Sequence, residues 1–332
     1  MNSVKLQKII IRTPNWLGDL MMATAFIKAV LDSYPHAQVD LIVKSGFEKL
    51  PLPHRGRIWV FDKNRNSSGA FGKSLRADEY DDFYILPPSF SSAWMAFCSG
   101  SKKRIGYGGN LRNWLLRPVK HYEHSPRTQH LVKEYFSLLD MPFSFKRHFP
   151  KLDISPEWVE NQLQGYKELP EGYIAVAPGA IYGAAKQWPV QHYQALVELL
   201  RAHQYPIIVL GTEADHEDGE TICQQREGVY NWCGKSSLTE LVALLAKARL
   251  LVSNDSGSMH IMAALQRPQV AIFGSTSLTW TSPLNSSAHV VYLNLSCSPC
   301  FQRICPYHHY DCLWKITPEQ VFQEALSLLR KA

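Results

Sequence analysis

The stretch "RLLVSNDSGSMHIMAALQRPQVAIFG", residues 249–274, changes from the pattern of a strand to that of a helix and back. The apolar runs 250–252 and 270–273 predict two short buried strands, and "SGSMHIMAALQ" between them predicts a helix. Two strands separated by one helix form a βαβ unit, whose strands are parallel. The stretch therefore predicts an α/β fold, with small polar residues where the first strand ends.

The same alternation continues along the 332-residue chain. Strands are predicted at "KIIIRT", "QVDLIV", "RIWVFD", "DDFYILP", "YIAVAP" and "PIIVLGT", and helices at "LMMATAFIKAVLDSYP", "QHYQALVELLRAH" and "LTELVALLAKA". The polar segment "NRNSSGAFGKS" (64–74) predicts a loop. This length exceeds one usual core, so we expect two Rossmann-like parallel-sheet domains, 1–164 and 165–332, facing across a cleft. The capped C-terminal helix 318–331 is predicted either in the second domain or packed back on the first.

Composition and charge limit the classes of protein to consider. The chain is 45% hydrophobic and 19% charged, as in ordinary globular proteins, and no apolar run approaches the roughly 18 residues of a membrane span. The start "MNSVKLQKIIIR" lacks the pattern of a signal peptide, so we expect a cytoplasmic protein. Residues 1–150 hold 22 Lys/Arg against 12 Asp/Glu, a balance of +10, and residues 151–332 hold 13 against 17, a balance of −4. The first half is thus expected to face a polyanion. Alternatively, its basic residues form only a solvated charged surface.

The loop "RTPNWLGDLMMAT" (12–24) follows the first predicted strand. Asp19 falls in the first turn of the next helix, where the helix dipole stabilises a carboxylate. Two roles are open: a carboxylate that only stabilises the helix, or a general base that the same dipole holds ionised.

Two loops of the second half carry groups suited to a nucleotide. In "APGAIYGAAKQWP" (177–189) small residues let backbone N–H groups approach a phosphate, and Lys186 adds a positive charge; a surface ion pair is the alternative for this lysine. In "LGTEADHE" (210–217) Glu213 is placed to accept ribose hydroxyls, whereas helix capping by Asp215 is the alternative.

The loop "SNDSGSMH" (253–260) predicts an anion site at a helix N-terminus. Asp255 or Ser256 can cap the helix, and Gly257 leaves its first N–H groups open to a diphosphate. Asp255 is expected to cap or to accept sugar hydroxyls, because it would repel a phosphate. His260 is placed to donate to a phosphate or sugar oxygen; the alternative is a capped helix with a half-buried histidine.

Four of the seven cysteines cluster in "CSPCFQRICPYHHYDC": Cys297, Cys300, Cys305 and Cys312. Their spacing permits a zinc site but lacks two CxxC pairs. We expect instead reduced thiols in a structural loop bordering the site, and no metal.

Four segments together resemble the ADP-heptose:lipopolysaccharide heptosyltransferases of glycosyltransferase family 9, most of all their heptosyltransferase II branch. These segments are "TPNWLGDLMMA", "PGAIYGAAKQWP", "SNDSGSMHIMAALQRPQVAIFGSTS" and "CSPCFQRICPYHHYDCL". They occur in order over nearly the whole chain. The resemblance implies the GT-B fold, with the acceptor in the N-terminal half, the nucleotide-sugar in the C-terminal half, and neither cofactor nor catalytic metal.

The resemblance also assigns roles to single residues. It implies that Asp19 is the catalytic base, that Lys186 meets the donor diphosphate and that Glu213 lies near the adenosine ribose. It places the donor on the D-[ST]-G-x-x-H pattern formed by Asp255, Ser256, Gly257 and His260. The segment 181–185 has few side-chain donors where some relatives have threonines, so backbone contacts must dominate there.

The function implied is inverting transfer of L-glycero-D-manno-heptose from ADP-heptose to the first heptose of the lipopolysaccharide inner core. The acceptor, an anionic glycolipid with octulosonic acid and lipid A, suits the basic half, where Asn15, Arg104 and Arg112 are expected to bind it. We expect a monomer that binds no nucleic acid and is cytoplasmic or peripheral on the inner membrane.

Three alternatives remain from the sequence. Heptosyltransferase I uses the same donor with octulosonic acid as acceptor, and a sugar-nucleotide epimerase of the same fold needs no lipid acceptor. A nucleic-acid-binding protein would use the basic half for its contacts, but aromatic residues are not interleaved with base-reading motifs in this sequence. A nicotinamide dehydrogenase is disfavoured, because "GYGGNLRN" has the wrong spacing for GxGxxG.

Overall fold

The computed structural model describes residues 6–139, 141–166 and 168–331. The chain forms two compact units, Met1–Asp153 and Ile154–Ala332. In the part of the chain that is described, none of the helices is long and apolar enough to cross a membrane.

The first unit contains one six-stranded sheet in the order β3-β2-β1-β4-β5-β6. The strands are β1 Lys8–Arg12, β2 Gln38–Lys44, β3 Ile58–Phe61, β4 Asp82–Ile85, β5 Lys103–Tyr107 and β6 Val119–Lys120. All neighbouring strands are parallel. Because β2 and β4 lie on opposite sides of β1, the loop after β1 is at the point where the strand order reverses. Ligands of open α/β sheets bind at such points.

Helices cover both faces of this sheet: α1 Leu17–Ser33, α2 Ser68–Ser74, α3 Phe90–Cys98 and α4 Leu131–Phe136. Side chains alternate between the faces along each strand. Ile10 and Ile85 share a core with α2 and α3, whereas Tyr84 packs edge-on against Phe26 of α1. The helices α1 and α4 therefore lie on one face, and α2 and α3 on the other.

The predicted loop at 64–74 was wrong, because residues 68–74 form α2. The Ser67 side chain accepts a hydrogen bond from the Ala70 N–H, which caps the helix. Phe71 and Gly72 are buried, and a Cβ at Gly72 would lie 2.3 Å from the Met95 carbonyl oxygen of α3. Close packing of α2 on α3 thus overrides a polar, glycine-containing local sequence.

The second unit repeats the architecture, with a parallel six-stranded sheet in the order β12-β11-β10-β7-β8-β9. Its strands are β7 Ile174–Ala177, β8 Ile207–Val209, β9 Val229–Asn231, β10 Leu250–Asn254, β11 Gln269–Ile272 and β12 Ala288–Val291. Its helices are α5 Pro156–Gln162, α6 Val190–Arg201, α7 His216–Cys223, α8 Leu238–Lys247, α9 Gly257–Ala264, α10 Leu278–Thr281, α11 Asp311–Trp314 and α12 Pro318–Leu329. The strand order reverses between β7 and β10, so the loops after these two strands are adjacent. The predicted pair of Rossmann-like units is confirmed.

The structure corrects the predicted domain boundary and shows where the C-terminal helix packs. The boundary lies at 153/154 rather than 164/165, because α5 belongs to the second unit, where Glu160 forms an ion pair with Lys247 of α8. The C-terminal helix α12 is capped as predicted, by a capping box of Thr317 and Gln320, and it buries Phe322 and its other apolar residues in the second unit's core. Its apolar face is thus used within the second unit.

Candidate functional site

Asn254, at the carboxyl end of β10, ties together the loops at the reversal point of the second sheet. Its side chain is fully buried; Oδ1 accepts from the Trp188 N–H and the Tyr193 hydroxyl, each at 3.0 Å. Nδ2 donates to the Pro178 carbonyl at 2.5 Å. These three bonds hold the loop 178–188 against the start of α9, which sets the position of Lys186 relative to Asp255.

A buried ion pair lies at the centre of this region. The Lys186 Nζ donates to Asp255 Oδ2 at 2.6 Å, and the Thr276 hydroxyl donates to the same oxygen at 2.6 Å. The His260 Nε2 lies 3.7 Å from Asp255 Oδ1. Burial alone would raise the pKa of Asp255, but the His260 imidazole and the Lys186 ammonium outweigh it and hold that pKa below its ordinary value. Asp255 is therefore an ionised carboxylate that orients a lysine and a histidine.

The prediction that Asp255 or Ser256 caps α9 was wrong. Ser256 is the N-cap residue, and in the described part of the chain its side chain makes no capping bond. Asp255 does not cap because its carboxylate is directed to Lys186, Thr276 and His260. Among the described residues, no side chain therefore caps the first N–H groups of α9.

Two hydroxyls beside this helix start are buried and unsatisfied. Among the described residues, Ser256 Oγ and Ser275 Oγ have no hydrogen-bond partner. A buried polar group without a partner costs about 1–3 kcal/mol. Two such groups, an uncapped helix start and a lysine paired with the adjacent Asp255 are the features of an anion-binding site.

The loop that carries Lys186 is braced by the segment that contains the cysteines. The Ala185 N–H donates to the Arg303 carbonyl at 3.0 Å, and the Tyr182 hydroxyl donates to the Phe301 carbonyl at 2.5 Å. Two cations lie over the Tyr182 ring: Lys186 Nζ is 4.8 Å and the Arg303 Cζ 5.5 Å from the ring centre. Arg303 is thus a second cation beside Tyr182, in contact with the loop that carries Lys186.

The four clustered cysteines are free thiols. Burial and the neighbouring thiols of Cys300, Cys297 and Cys305 raise the pKa of Cys312 to about 11, so this thiol is protonated near neutral pH. Among residues 6–139, 141–166 and 168–331, no three possible ligands are grouped to hold a metal ion. The absence of a metal stays a prediction, for which elemental analysis of the purified protein is the test.

Glu213 lies at the end of the loop after β8. It begins a short 3-10 helix, Glu213–Asp215, and its side chain is exposed. Asp215, not Glu213, completes the capping box, since its carboxylate accepts from both the N–H and the hydroxyl of Thr212 at 2.7 Å. Capping by Asp215 and a ligand role for Glu213 are therefore compatible.

In the first unit, Asp19 is half-buried in the first turn of α1, at the reversal point of the sheet. Burial and the nearby Asp19 charge raise the pKa of Tyr135 well above its ordinary value. The preceding loop is held by Arg12, which is 2% exposed. Its guanidinium donates to the Thr13 carbonyl at 2.8 Å and to Asn15 Oδ1 at 2.5 Å, and burial lowers the pKa of Arg12 to about 10.

The structure separates the three predicted acceptor residues by their surroundings. Asn15 is exposed in the loop that precedes Asp19, and its amide oxygen accepts a hydrogen bond from Arg12. Arg104 lies within β5 and donates to the carbonyls of Ser101 and Leu115, at 2.8 and 2.7 Å. Arg112 follows the carboxyl end of β5, and its Nη1 is buried with no partner in the described part of the chain. Both arginines brace the backbone, since Arg112 also donates to the carbonyls of Gly108 and Gly109, but Arg112 keeps one buried nitrogen without a partner among the described residues.

Sequence reasoning missed several residues of these sites: Arg12, Tyr135, Asn254, Ser275, Thr276 and Arg303. Ser275 and Thr276 lie in the loop between β11 and α10, so a search of every strand-to-helix loop would have found them. Arg303 and Tyr135 come from segments distant along the chain, and no local pattern marks them.

Comparison with known proteins shows the family of the chain. Residues 68–311 match the family model "Glycosyltransferase family 9 (heptosyltransferase)". The chain is 30% identical to lipopolysaccharide heptosyltransferase 2 of Escherichia coli K12, covering 97% of this chain and 98% of the relative. It is 22% identical to lipopolysaccharide heptosyltransferase 1 of Pseudomonas aeruginosa, with 98% of each chain covered.

Similarity in three dimensions leads to the same family. The structure of E. coli ADP-heptose LPS heptosyltransferase II matches with a TM-score of 0.84 and 29% identity, over 98% of this chain and 99% of that one. The fold is accordingly the α/β GT-B type that the sequence predicted. The chain belongs to glycosyltransferase family 9, the heptosyltransferases.

Proposed function

We propose that the protein is an inverting glycosyltransferase that moves L-glycero-D-manno-heptose from ADP-heptose to the first heptose of the lipopolysaccharide inner core. The higher identity to a heptosyltransferase 2 than to a heptosyltransferase 1, 30% against 22%, favours this acceptor over the inner octulosonic acid. Membership of a transferase family also disfavours an epimerase.

The observation that carries the donor assignment is the Lys186–Asp255 pair beside the uncapped start of α9. A diphosphate fits there because the helix N–H groups, the orphan hydroxyls of Ser256 and Ser275, and Lys186 all donate. Asp255 holds Lys186 in place, and His260 donates to a sugar or phosphate oxygen. Glu213, exposed at the end of the loop after β8, accepts the ribose hydroxyls.

In the reaction, Asp19 accepts the proton of an acceptor hydroxyl while the oxygen of that hydroxyl bonds to C1 of the heptose. The bond from C1 to the ADP oxygen breaks on the opposite face, so the configuration inverts through an oxocarbenium-like state. Negative charge grows on the departing ADP, where Lys186 and the N-terminus of α9 stabilise it. The proton ends on Asp19, and ADP leaves with the electron pair of the broken bond.

The first unit binds the acceptor in this proposal. The basic balance of residues 1–150 suits a glycolipid that bears phosphates and carboxylates. Asn15 and Arg112 contact it directly, and Arg104 supports the segment that presents Arg112. The enzyme acts as a monomer on the face of the inner membrane, with no metal cofactor.

An ADP-release assay with two defined acceptors tests the function. ADP-heptose is supplied with octulosonic acid-lipid A that bears one heptose, or with the same glycolipid that lacks heptose. We expect rapid ADP release and a product heavier by one heptose only with the first acceptor. Turnover with only the heptose-free acceptor would assign the protein to heptosyltransferase I. The proposal would be overturned if heptose were transferred to neither of the two acceptors.

A further inference from the structure

One face of α3 is aromatic and exposed. Phe90, Trp94 and Phe97 occur at the spacing i, i+4, i+7, which places them on one side of a helix. Their exposed fractions are 50%, 39% and 44%. The rings stack in a row: the centroids of Phe90 and Trp94 are 6.5 Å apart, and those of Trp94 and Phe97 are 5.5 Å apart. The outer side of this helix is thus apolar where a surface helix is usually charged.

A neighbouring short helix extends this surface. The 3-10 helix Asn110–Trp114 contacts α3 and carries Leu111 and Trp114, which are 66% and 85% exposed. We call the five side chains of Phe90, Trp94, Phe97, Leu111 and Trp114 the aromatic patch. Contiguous exposed apolar surface of this kind marks an interaction site.

The sequence around the aromatic patch is rich in basic residues. Between Leu86 and Lys120 the sequence contains six basic residues and no Asp or Glu. The Arg104 guanidinium lies 5.6 Å from the Phe97 ring centre, and Arg112 stands between Leu111 and Trp114 in the 3-10 helix. Lys73 is exposed in the last turn of α2, which packs against α3. Lys102 and Lys103 contribute less to the positive charge of this surface, because they form ion pairs with Asp81 and Asp82.

We propose that the aromatic patch docks the protein on the surface of an anionic phospholipid bilayer. Tryptophan and phenylalanine favour the boundary between headgroups and acyl chains, and basic residues around them attract anionic headgroups. The choice of a bilayer over a nucleic acid, which also binds stacked aromatics and cations, rests on the proposed function, whose acceptor is a membrane glycolipid. The contact is peripheral, with the rings entering the headgroup region from one face of the first unit.

Vesicle flotation with the full-length protein tests the inference. Vesicles of phosphatidylethanolamine and phosphatidylglycerol, free of lipopolysaccharide, are compared with vesicles of phosphatidylcholine alone. We expect binding to the anionic vesicles and a decrease of about tenfold or more in the double variant Phe90→Ser/Trp114→Ser. Lys73→Gln should weaken binding by about fivefold. Trp314→Ser, which removes a 49%-exposed tryptophan from the second unit, is the matched control and should bind as the wild type does.

Other measurements separate this inference from the proposed function. The double variant should melt at the wild-type temperature, since both rings are exposed, and should release ADP at the normal rate with a deacylated, water-soluble acceptor. Equal flotation of wild type and double variant would overturn the inference, as would binding only when the vesicles contain the acceptor glycolipid. Wild-type binding to single-stranded DNA instead of anionic vesicles, or a dimer that Phe90→Ser/Trp114→Ser dissociates, would replace the bilayer with another partner. Wild-type ADP release tests the proposed function independently of all these outcomes.

Discussion

Lys186 and Asp255 show how a single pair of residues can serve both stability and binding. The lysine side chain is 15% exposed and the carboxylate 3%, so neither charge is well solvated. Breaking such a pair by removing one partner costs about 3–5 kcal/mol, because the other charge is left buried alone. A bound diphosphate would add acceptors for Lys186 without requiring Asp255 to leave. Variants at this site must therefore separate loss of folding from loss of binding.

We predict that Lys186→Met weakens ADP binding by at least about tenfold and also lowers the melting temperature, since it leaves Asp255 unpaired. The double variant Lys186→Met/Asp255→Asn should recover most of the stability but none of the affinity. Calorimetric titration with ADP and thermal melting measure the two effects. Wild-type ADP affinity in the double variant would show that the diphosphate does not bind at Lys186.

Asp19→Asn is expected to reduce turnover by about a hundredfold or more while ADP affinity changes little, because a general base acts on the acceptor hydroxyl and not on the donor. Asp32→Asn is the matched control, since Asp32 is exposed near the end of the same helix, and it should retain normal turnover. Steady-state ADP release gives the rates. Near-normal turnover in Asp19→Asn would mean that this carboxylate only stabilises the first turn of α1.

At the scale of elements, the proposed donor site is formed by loops that follow three neighbouring strands, β7, β10 and β11. Asn254 joins the first two loops, and Thr276 joins the third to Asp255. The cysteine-containing segment adds a fourth contact, because the Arg303 carbonyl accepts from the Ala185 N–H. The turn that presents Lys186 thus depends on a segment more than a hundred residues later in the chain.

Gly183→Ala should weaken ADP binding through this turn. Gly183 has a φ of +144°, which side chains rarely adopt, and a Cβ there would lie 2.6 Å from the Arg303 carbonyl oxygen. We expect the turn to shift and ADP affinity to fall by about tenfold, as for a displaced charge-assisted contact. Gly172→Ala is the control: its φ is +64°, but nothing lies within 4 Å of the added Cβ. Calorimetry that gives equal ADP affinities for both variants would contradict this account of the turn.

At the scale of the whole molecule, the two units share one architecture but differ in charge. Each is a parallel six-stranded sheet whose strand order reverses once, and each has its candidate site at that reversal. The first unit carries the basic excess and an exposed aromatic surface. The second contains the buried Asp255, whose ionisation links the stability of that unit to pH.

Acid should destabilise the second unit through Asp255. Its folded-state pKa is below the ordinary value of 3.8, so ionised Asp255 contributes stability that is fully present above about pH 4. This contribution decreases as pH falls from the ordinary pKa towards the lowered one, because the unfolded chain then binds the proton more readily. Asp255→Asn should therefore lose less stability than the wild type between about pH 5 and pH 3. Denaturant unfolding of both proteins across this pH range measures their free energies of unfolding. Equal losses of stability in the wild type and in Asp255→Asn would exclude a lowered pKa at Asp255.

Local sequence alone determined the α/β class, the two sheets, the capped helix α12 and the identity of the loops that hold Asp19, Lys186 and Asp255. These follow from apolar periodicity and from small polar residues after strands, both of which are properties of neighbouring residues. The helix α2, the boundary after Asp153 and the orientation of Asp255 away from its own helix were decided by tertiary structure. In each case a partner from elsewhere in the chain supplies the controlling interaction: Met95 for α2, Lys247 for α5 and Lys186 for Asp255. Packing against a distant segment changes the free energy of a local conformation by as much as local propensity does, and no short stretch of sequence contains that information.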